Sequence, residues 1–308
     1  MDLNLKESIK RLIAVPTLSA SYVPMLLGFI CVYFIGGIEF SFSHIPWMIL
    51  AVIGISAVET GKHALNELMD YNSGNDLFID EAHMTPVAGG KKVLPAGLAT
   101  KKQVWMIGIA CFLLAMVIGL FITFKLSFDV LWFGLAGFFL AIVYNMEPFK
   151  IIYRGLGEIF IFLAYGPVCM MGAYVMFCHE NMLVPFLISL SIGFLIMNIL
   201  IVNELPDYEA DFKAGKMNWV ARLGKEKGIT LMAWVYAMHF IPLAVLSFIT
   251  HNPLWMLSLI TVPPMIKAVK NARANIDDIP KMLPSNFAVI NIHKYVCAVM
   301  ILVIFISY

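Results

Sequence analysis

Long charge-free runs follow one another along this chain, each closed by an Asp, Glu, Lys or Arg. Residues 12 to 38, 40 to 58, 103 to 124, 130 to 146, 159 to 179 and 181 to 203 form six of them. A helix needs about 20 mainly apolar residues to cross a bilayer, so each run predicts one spanning helix, some extending past a flanking charge. The run from 228 to 266 is too long for one span, and His251, Asn252 and Pro253 predict a turn that divides it in two. A last span is expected from about Asn286 to Tyr308, interrupted by Lys294. The pattern predicts an all-α polytopic membrane protein with nine transmembrane helices. Lys6, Lys10 and Arg11 precede the first run, which is far longer than the apolar core of a signal peptide and is expected to be retained.

The cations give these helices a direction. Lys6, Lys10, Arg11, Lys91, Lys92, Lys101, Lys102, Lys150, Arg154 and the cations from Lys213 to Lys227 and Lys267 to Lys281 all fall on the side of the N-terminus. Lys125 alone lies opposite, and Lys62 and Lys294 sit within spans. Cytoplasmic loops carry the excess of Lys and Arg, so the N-terminus and the loops after even-numbered spans are expected in the cytoplasm, and the C-terminus outside. In a bacterium the membrane would be the inner one. Composition agrees: 61% of residues are hydrophobic and 13% charged, against about 25% charged in soluble domains. A net charge of +1 provides no basic field for a nucleic-acid backbone. The five cysteines are scattered without a CxxC pair and suggest neither a disulfide framework nor a thiolate metal site.

Polar chemistry concentrates in a repeat. NELMDY at 66 to 71 recurs as NELPDY at 203 to 208, each at the predicted cytoplasmic end of an even-numbered span. Repeats in helical membrane proteins usually mark two related bundles whose duplicated residues meet. Asn66 and Asp70 are spaced i, i+4 and are followed by Asp76 and Asp80; Asn203, Asp207 and Asp211 form an i, i+4, i+8 stripe, with Pro206 expected to bend or begin that segment. Converging carboxylates and amides without His or Cys suit a hard cation such as magnesium, which usually completes its shell with substrate phosphates. Lys91, Lys92, Lys150, Arg154, Lys213, Lys216 and Arg222 lie beside the acids and suit the same phosphate, though a basic loop is also the ordinary sign of the cytoplasmic side.

With these residues the sequence resembles the UbiA-type intramembrane prenyltransferases, whose signatures are Asn-Asp-x-x-Asp-x-x-x-Asp and Asp-x-x-x-Asp. The first reads NELMDYNSGND, with Glu67 for the usual Asp and the last acid displaced to Asp76; the second, DYEAD at 207 to 211, is intact. GGKKVLPAGLAT, YNMEPFKIIYRGLGEIFIFLAYGPV and NELPDYEADFKAGKMNWVARLG look like the 1,4-dihydroxy-2-naphthoate polyprenyltransferases, with Met217-Asn218-Trp219 where that branch often has Arg-Thr-Leu. The resemblance implies a single prenyltransferase domain over residues 1–308, its helices around a central cavity, and two substrates, a prenyl diphosphate and an aromatic acceptor. It implies that Asn66, Asp70, Asp76, Asn203, Asp207 and Asp211 bind the diphosphate and magnesium, with Asp70, Asp76, Asp207 and Asp211 on the metal. Lys150 and Arg154 would neutralise departing pyrophosphate, and Tyr144, in a Tyr-x-x-x-Pro-x-Lys pattern, would stand beside the allylic cation.

Glu59, Lys62 and His63 lie one to two turns deeper than Asn66. Ionisable groups inside a membrane are functional by default: Lys62 either binds a carboxylate of the acceptor or forms an i, i+3 ion pair with Glu59. His293, beside Lys294, reads as a packing residue. A cation-coupled transporter is the rival class, and its acids would sit near the midplane. Within the resembling family, hydroxybenzoate, homogentisate, haem or a glycerol phosphate is the alternative acceptor. Tail length and oligomeric state are not legible.

Overall fold

Helix ends in this chain are set by residues that cannot, or need not, continue the hydrogen-bond ladder. The protein is described by a computed structural model over residues 3–14, 17–75 and 91–308. Among the described residues every regular element is a helix. An amphipathic α1 (Leu3–Ile13) and α2 (Ser19–Phe34) lead into α3 (Ile45–Ser73), which carries a proline in its first turn and stops at Gly74, φ 77°. Proline fits a first turn because its missing N–H has no helical acceptor, and glycine adopts the left-handed stop freely. Thr100 and Gln103 cap α4 (Lys101–Lys125) reciprocally. Then come α5 (Val130–Asn145), α6 (Gly157–Tyr174), α7 (Leu183–Lys213), the short α8 (Trp219–Leu223), α9 (Lys225–Ile249), α10 (Val262–Ala274) and α11 (Ile279–Ser307).

Six of these helical segments are long and apolar enough to cross a membrane: 42–73, which includes α3, and α4, α6, α7, α9 and α11. The expected nine are therefore not all met by length among the described residues; α2 and α5 are apolar but shorter. Among the described residues of the first expected span, 12 to 38, only α2 is a helix of any length; α1 ends as that run begins, with Ala14 at φ 49° closing it. The turn at 251–253 is present, Asn252 accepting from Leu254 N at 3.0 Å, but it leads into 3-10 turns over Pro253–Thr261 before α10 begins. Neither Pro206 nor Lys294 interrupts its helix: both lie inside continuous elements. Proline loses one ladder bond, yet Pro206 is buried within a helix that runs on past it to Lys213.

The main core joins α2, α6, α7, α9 and α11 through residues such as Leu27, Tyr174, Ile192, Ile201, Leu243 and Val296. Small residues set the closest approaches, as is common where lipid offers no hydrophobic drive between helices. A Cβ on Gly166 of α6 would lie 2.5 Å from Ser189 O and 2.8 Å from Gly193 Cα of α7. Large apolar side chains stay outward, Trp132, Phe124, Phe248 and Ile260 among them, as lipid contact requires. The packing brings the ends of α3 and α7 and the α5–α6 loop to one place.

Candidate active site

The ends of the helices that carry the two copies of the repeat meet. On α3, Asn66 Nδ2 donates to Asp70 Oδ2 at 2.7 Å. Just beyond the Gly74 stop, Asn75 crosses to α7 and donates from Nδ2 to Asp211 Oδ1 at 2.8 Å. Asn218 donates to Asp211 Oδ2 at 2.7 Å and accepts from Ala221 N with its own oxygen, capping α8. Lys216 completes the cluster: its ammonium is 3.4 Å from Asp211 Oδ1 and 12% exposed. Burial opposes the charge on Lys216, but Asp211, Asp70 and Asp207 outweigh it and hold its pKa well above the ordinary lysine value. The centre of the repeat is thus an acidic cluster with a positive charge already inside it.

The α5–α6 loop closes over this cluster. Tyr153 OH donates to Ser73 Oγ at 2.7 Å and to Asp70 Oδ1 at 3.4 Å; burial, then the Asp70 carboxylate, push its pKa up to about 12. Lys150 lies over the Tyr153 ring, 4.4 Å from its centre, with Glu147 at 3.6 Å. The loop docks on the segment after α7: Trp219 Nε1 donates to Gly155 O at 2.8 Å, Trp219 N to the buried Glu158, and Arg222 Nη2 to Arg154 O at 3.1 Å. Glycine is favoured at Gly155 because its φ is 73°, and a Cβ would also crowd Met217 O at 3.0 Å. Glu67, where the resembling family has Asp, is 2% exposed and accepts from Leu94 N at 2.8 Å, so it ties down the loop after α3.

Of the residues expected from sequence, Asn66, Asp70 and Asp211 come together with Asp207 in electrostatic range of Lys216. Two do not join them. Asn203 accepts at Oδ1 from Asn286 Nδ2 of α11 at 3.0 Å, and the exposed Arg154 donates to Pro148 O at 2.6 Å. Asp76 lies outside the described residues. Among the described residues no three His, Cys, Asp or Glu side chains form a metal site by themselves. The donor set, carboxylate and amide oxygens already balanced by a buried cation, fits a hard divalent ion that shares its shell with phosphate. Asn75, Tyr153 and Asn218 escaped the sequence reading because none belongs to the repeat; for Tyr153, its place in the basic loop was the available signal.

Beside this cluster opens a cavity of about 210 Å³ between α2, α3, α4, α5 and α6, with mostly apolar walls. Its polar groups are few: Tyr144, Glu59, Lys62, Tyr165 and Cys169. Tyr144 is 7% exposed, packs against Gly157, and lies within electrostatic range of both Lys216 and Asp70. Lys62 Nζ pairs with Glu59 Oε2 at 2.7 Å.

Among the described residues, a helical bundle with membrane-length apolar helices, acidic repeats at helix ends and an adjoining apolar cavity defines an integral membrane protein. The sequence model of the UbiA prenyltransferase family matches residues 21–291, and the chain belongs to that family. It is 27% identical over 226 residues to UbiA prenyltransferase domain-containing protein 1 of Dictyostelium discoideum, covering 71% of this chain and 66% of that protein. With the 1,4-dihydroxy-2-naphthoate octaprenyltransferase of Bacillus subtilis it shares 24% identity over 255 residues, 82% of this chain and 78% of the relative. The fold matches that of a UbiA homolog from Archaeoglobus fulgidus bound to DMAPP and Mg2+, with TM-score 0.65 at 17% identity over 95% of this chain and 98% of the other.

Proposed function

We propose that this protein transfers an isoprenyl chain from a prenyl diphosphate to an aromatic acceptor within the membrane, with 1,4-dihydroxy-2-naphthoate as the acceptor. The observation that carries the reading is the junction just past the two repeats, Asn75 on Asp211, around the buried Lys216 and next to an apolar cavity. Asp70, Asp76, Asp207 and Asp211 would hold magnesium, with Asn66 and Asn203 completing the diphosphate site. Bound magnesium makes diphosphate a better leaving group. Lys150, Lys216 and Arg154 then neutralise pyrophosphate, Arg154 after leaving Pro148. Tyr144 presents a ring to the allylic cation as the C–O bond breaks. The carboxylate-bearing ring carbon of the acceptor attacks that cation and loses the carboxylate as carbon dioxide, the cavity receives the prenyl tail, and Lys62 faces the acceptor. The naphthoate acceptor is supported by the Bacillus subtilis relative.

In this reading residues 1–308 are one domain, and α2, α5 and the segment 253–274 join the six long helices to make nine crossings. The N-terminus and the repeat ends face the cytoplasm, as the cations suggest. The acids at helix ends, next to basic loops, favour a phosphate-bearing substrate over a transporter's midplane site. Purified protein with magnesium, a labelled prenyl diphosphate and a panel of aromatic acceptors should release pyrophosphate and yield a prenylated naphthalene by mass. Pyrophosphate release that is independent of any aromatic acceptor would overturn the reading.

A further inference from the structure

The polar end of the cavity holds a cluster that the diphosphate chemistry does not use. Glu59 is 4% exposed and both of its oxygens are engaged. Oε1 accepts from Ser21 Oγ of α2 at 2.8 Å; Oε2 accepts from Lys62 Nζ at 2.7 Å and from Tyr165 OH of α6 at 3.0 Å. Lys62 also bonds the Tyr165 hydroxyl and stands 4.9 Å from the centre of that ring. Three helices therefore converge on one carboxylate and one ammonium inside an apolar wall.

Counting donors shows what is left over. An ammonium has three N–H groups, and Glu59 and Tyr165 take two of those on Lys62. Both Lys62 and Glu59 line the cavity, but the Lys62 side chain is 17% exposed and that of Glu59 5%. The open valence of the cluster is a charged donor on the cavity side. In surroundings this apolar, such a donor is best satisfied by a charged acceptor, because charge-assisted hydrogen bonds are about twice as strong as neutral ones.

The backbone supports the placement. Tyr165 lies in a π turn, Ala164–Val168, which interrupts the regular ladder of α6. Such turns often occur at functional sites, because they re-aim a side chain at the cost of regular hydrogen bonding. Gly166 holds the turn against α7, where no Cβ could fit beside Ser189 O. Tyr144 lies on the same wall within electrostatic range of Tyr165, so the cluster and the carboxylate site flank one end of the cavity.

We propose that Glu59, Lys62 and Tyr165 form the head-group subsite for a carboxylate-bearing aromatic acceptor. The free N–H of Lys62 takes the ring carboxylate, while Glu59 and Tyr165 are positioning residues that hold the ammonium in place. The assignment rests on the prenyl-transfer reading.

The test compares 1,4-dihydroxy-2-naphthoate with 1,4-dihydroxynaphthalene, which lacks the carboxylate, using the full chain in detergent with magnesium and a prenyl diphosphate. Tyr165→Phe keeps the ring and removes only the hydroxyl. It should raise the KM for the naphthoate about fivefold or more, and change those for the diol and the donor less than about twofold. Lys62→Met should erase the wild-type preference for the carboxylated acceptor, and Lys62→Arg should restore part of it. Equal losses on both acceptors, a rise in donor KM alone, or unchanged kinetics in Tyr165→Phe would overturn the subsite. Calorimetric binding of the naphthoate without donor decides the point independently of turnover: weaker binding in Tyr165→Phe and Lys62→Met supports the subsite, and unchanged binding overturns it. A wild type that binds the naphthoate but never releases pyrophosphate would refute the prenyl-transfer reading alone. Melting temperatures show whether each variant remains folded.

Discussion

Lys216 is the residue on which the acidic site depends. Its pKa is raised in the folded state, so its contribution to stability is complete below the unfolded lysine value, about 10.4, and is lost only as pH climbs through the higher folded value. At neutral pH the contribution is therefore fully present. Removing one partner of a buried pair leaves the other uncompensated and costs on the order of 3 kcal/mol. Lys216→Met should lower the melting temperature, and magnesium should raise it more in the variant than in the wild type, because the carboxylates then lack a resident cation. An equal response to magnesium would separate Lys216 from the metal site. For Asp70→Asn and Asp207→Asn the expected outcome is loss of turnover with the fold retained in detergent. Near-normal rates at saturating magnesium would remove that residue from the proposed metal bridge.

At the scale of elements, the contact between α6 and α7 fixes both the π turn and the ring of Tyr165. Gly166 and Gly193 let the backbones touch: a Cβ on Gly193 would lie 2.8 Å from Phe162 O, and one on Gly166 even closer to Ser189 O. Because the obstacles are backbone atoms, no side-chain rotation relieves the clash. Gly166→Ala is expected to destabilise the protein by about 2 kcal/mol, within the range of core overpacking, and to weaken acceptor binding by displacing Tyr165. Gly119→Ala, with open space around its position, is the control. Thermal unfolding of the pair in one detergent measures the difference, and equal melting temperatures would show that the α6–α7 contact is soft.

For the whole molecule, the outstanding question is orientation. The basic segments at 91–102 and 213–227 lie at the ends of α3 and α7 that carry the acidic repeats, whereas Lys125 ends α4 and starts a short connection to α5. Cation asymmetry places the former in the cytoplasm. Single cysteines introduced in the loops at 84–100 and 213–225 should resist an impermeant thiol reagent added to intact cells, and one beside Lys125 should react. Labelling in the reverse pattern would put the acidic site outside and invert the orientation.

The sequence alone determined the solvent of this protein and the place of its chemistry. Charge-free runs require helices in a bilayer whatever packs against them, and NELMDY and NELPDY mark the proposed site because both copies keep an amide and a carboxylate one helical turn apart. Tertiary structure decided which partner each polar side chain meets. Asn203 belongs to the repeat but packs against Asn286 of α11, while Asn75, outside it, crosses to Asp211. Local spacing fixes only the direction of a side chain on its own helix, and the partner on that side is supplied by a helix distant in sequence. Pro206 shows the same limit of a local signal, a helix breaker that lies buried inside the continuous α7. The joining of Glu59 and Lys62 to Tyr165, about a hundred residues away, required α6 to pack beside α3 with a π turn that no periodicity announces.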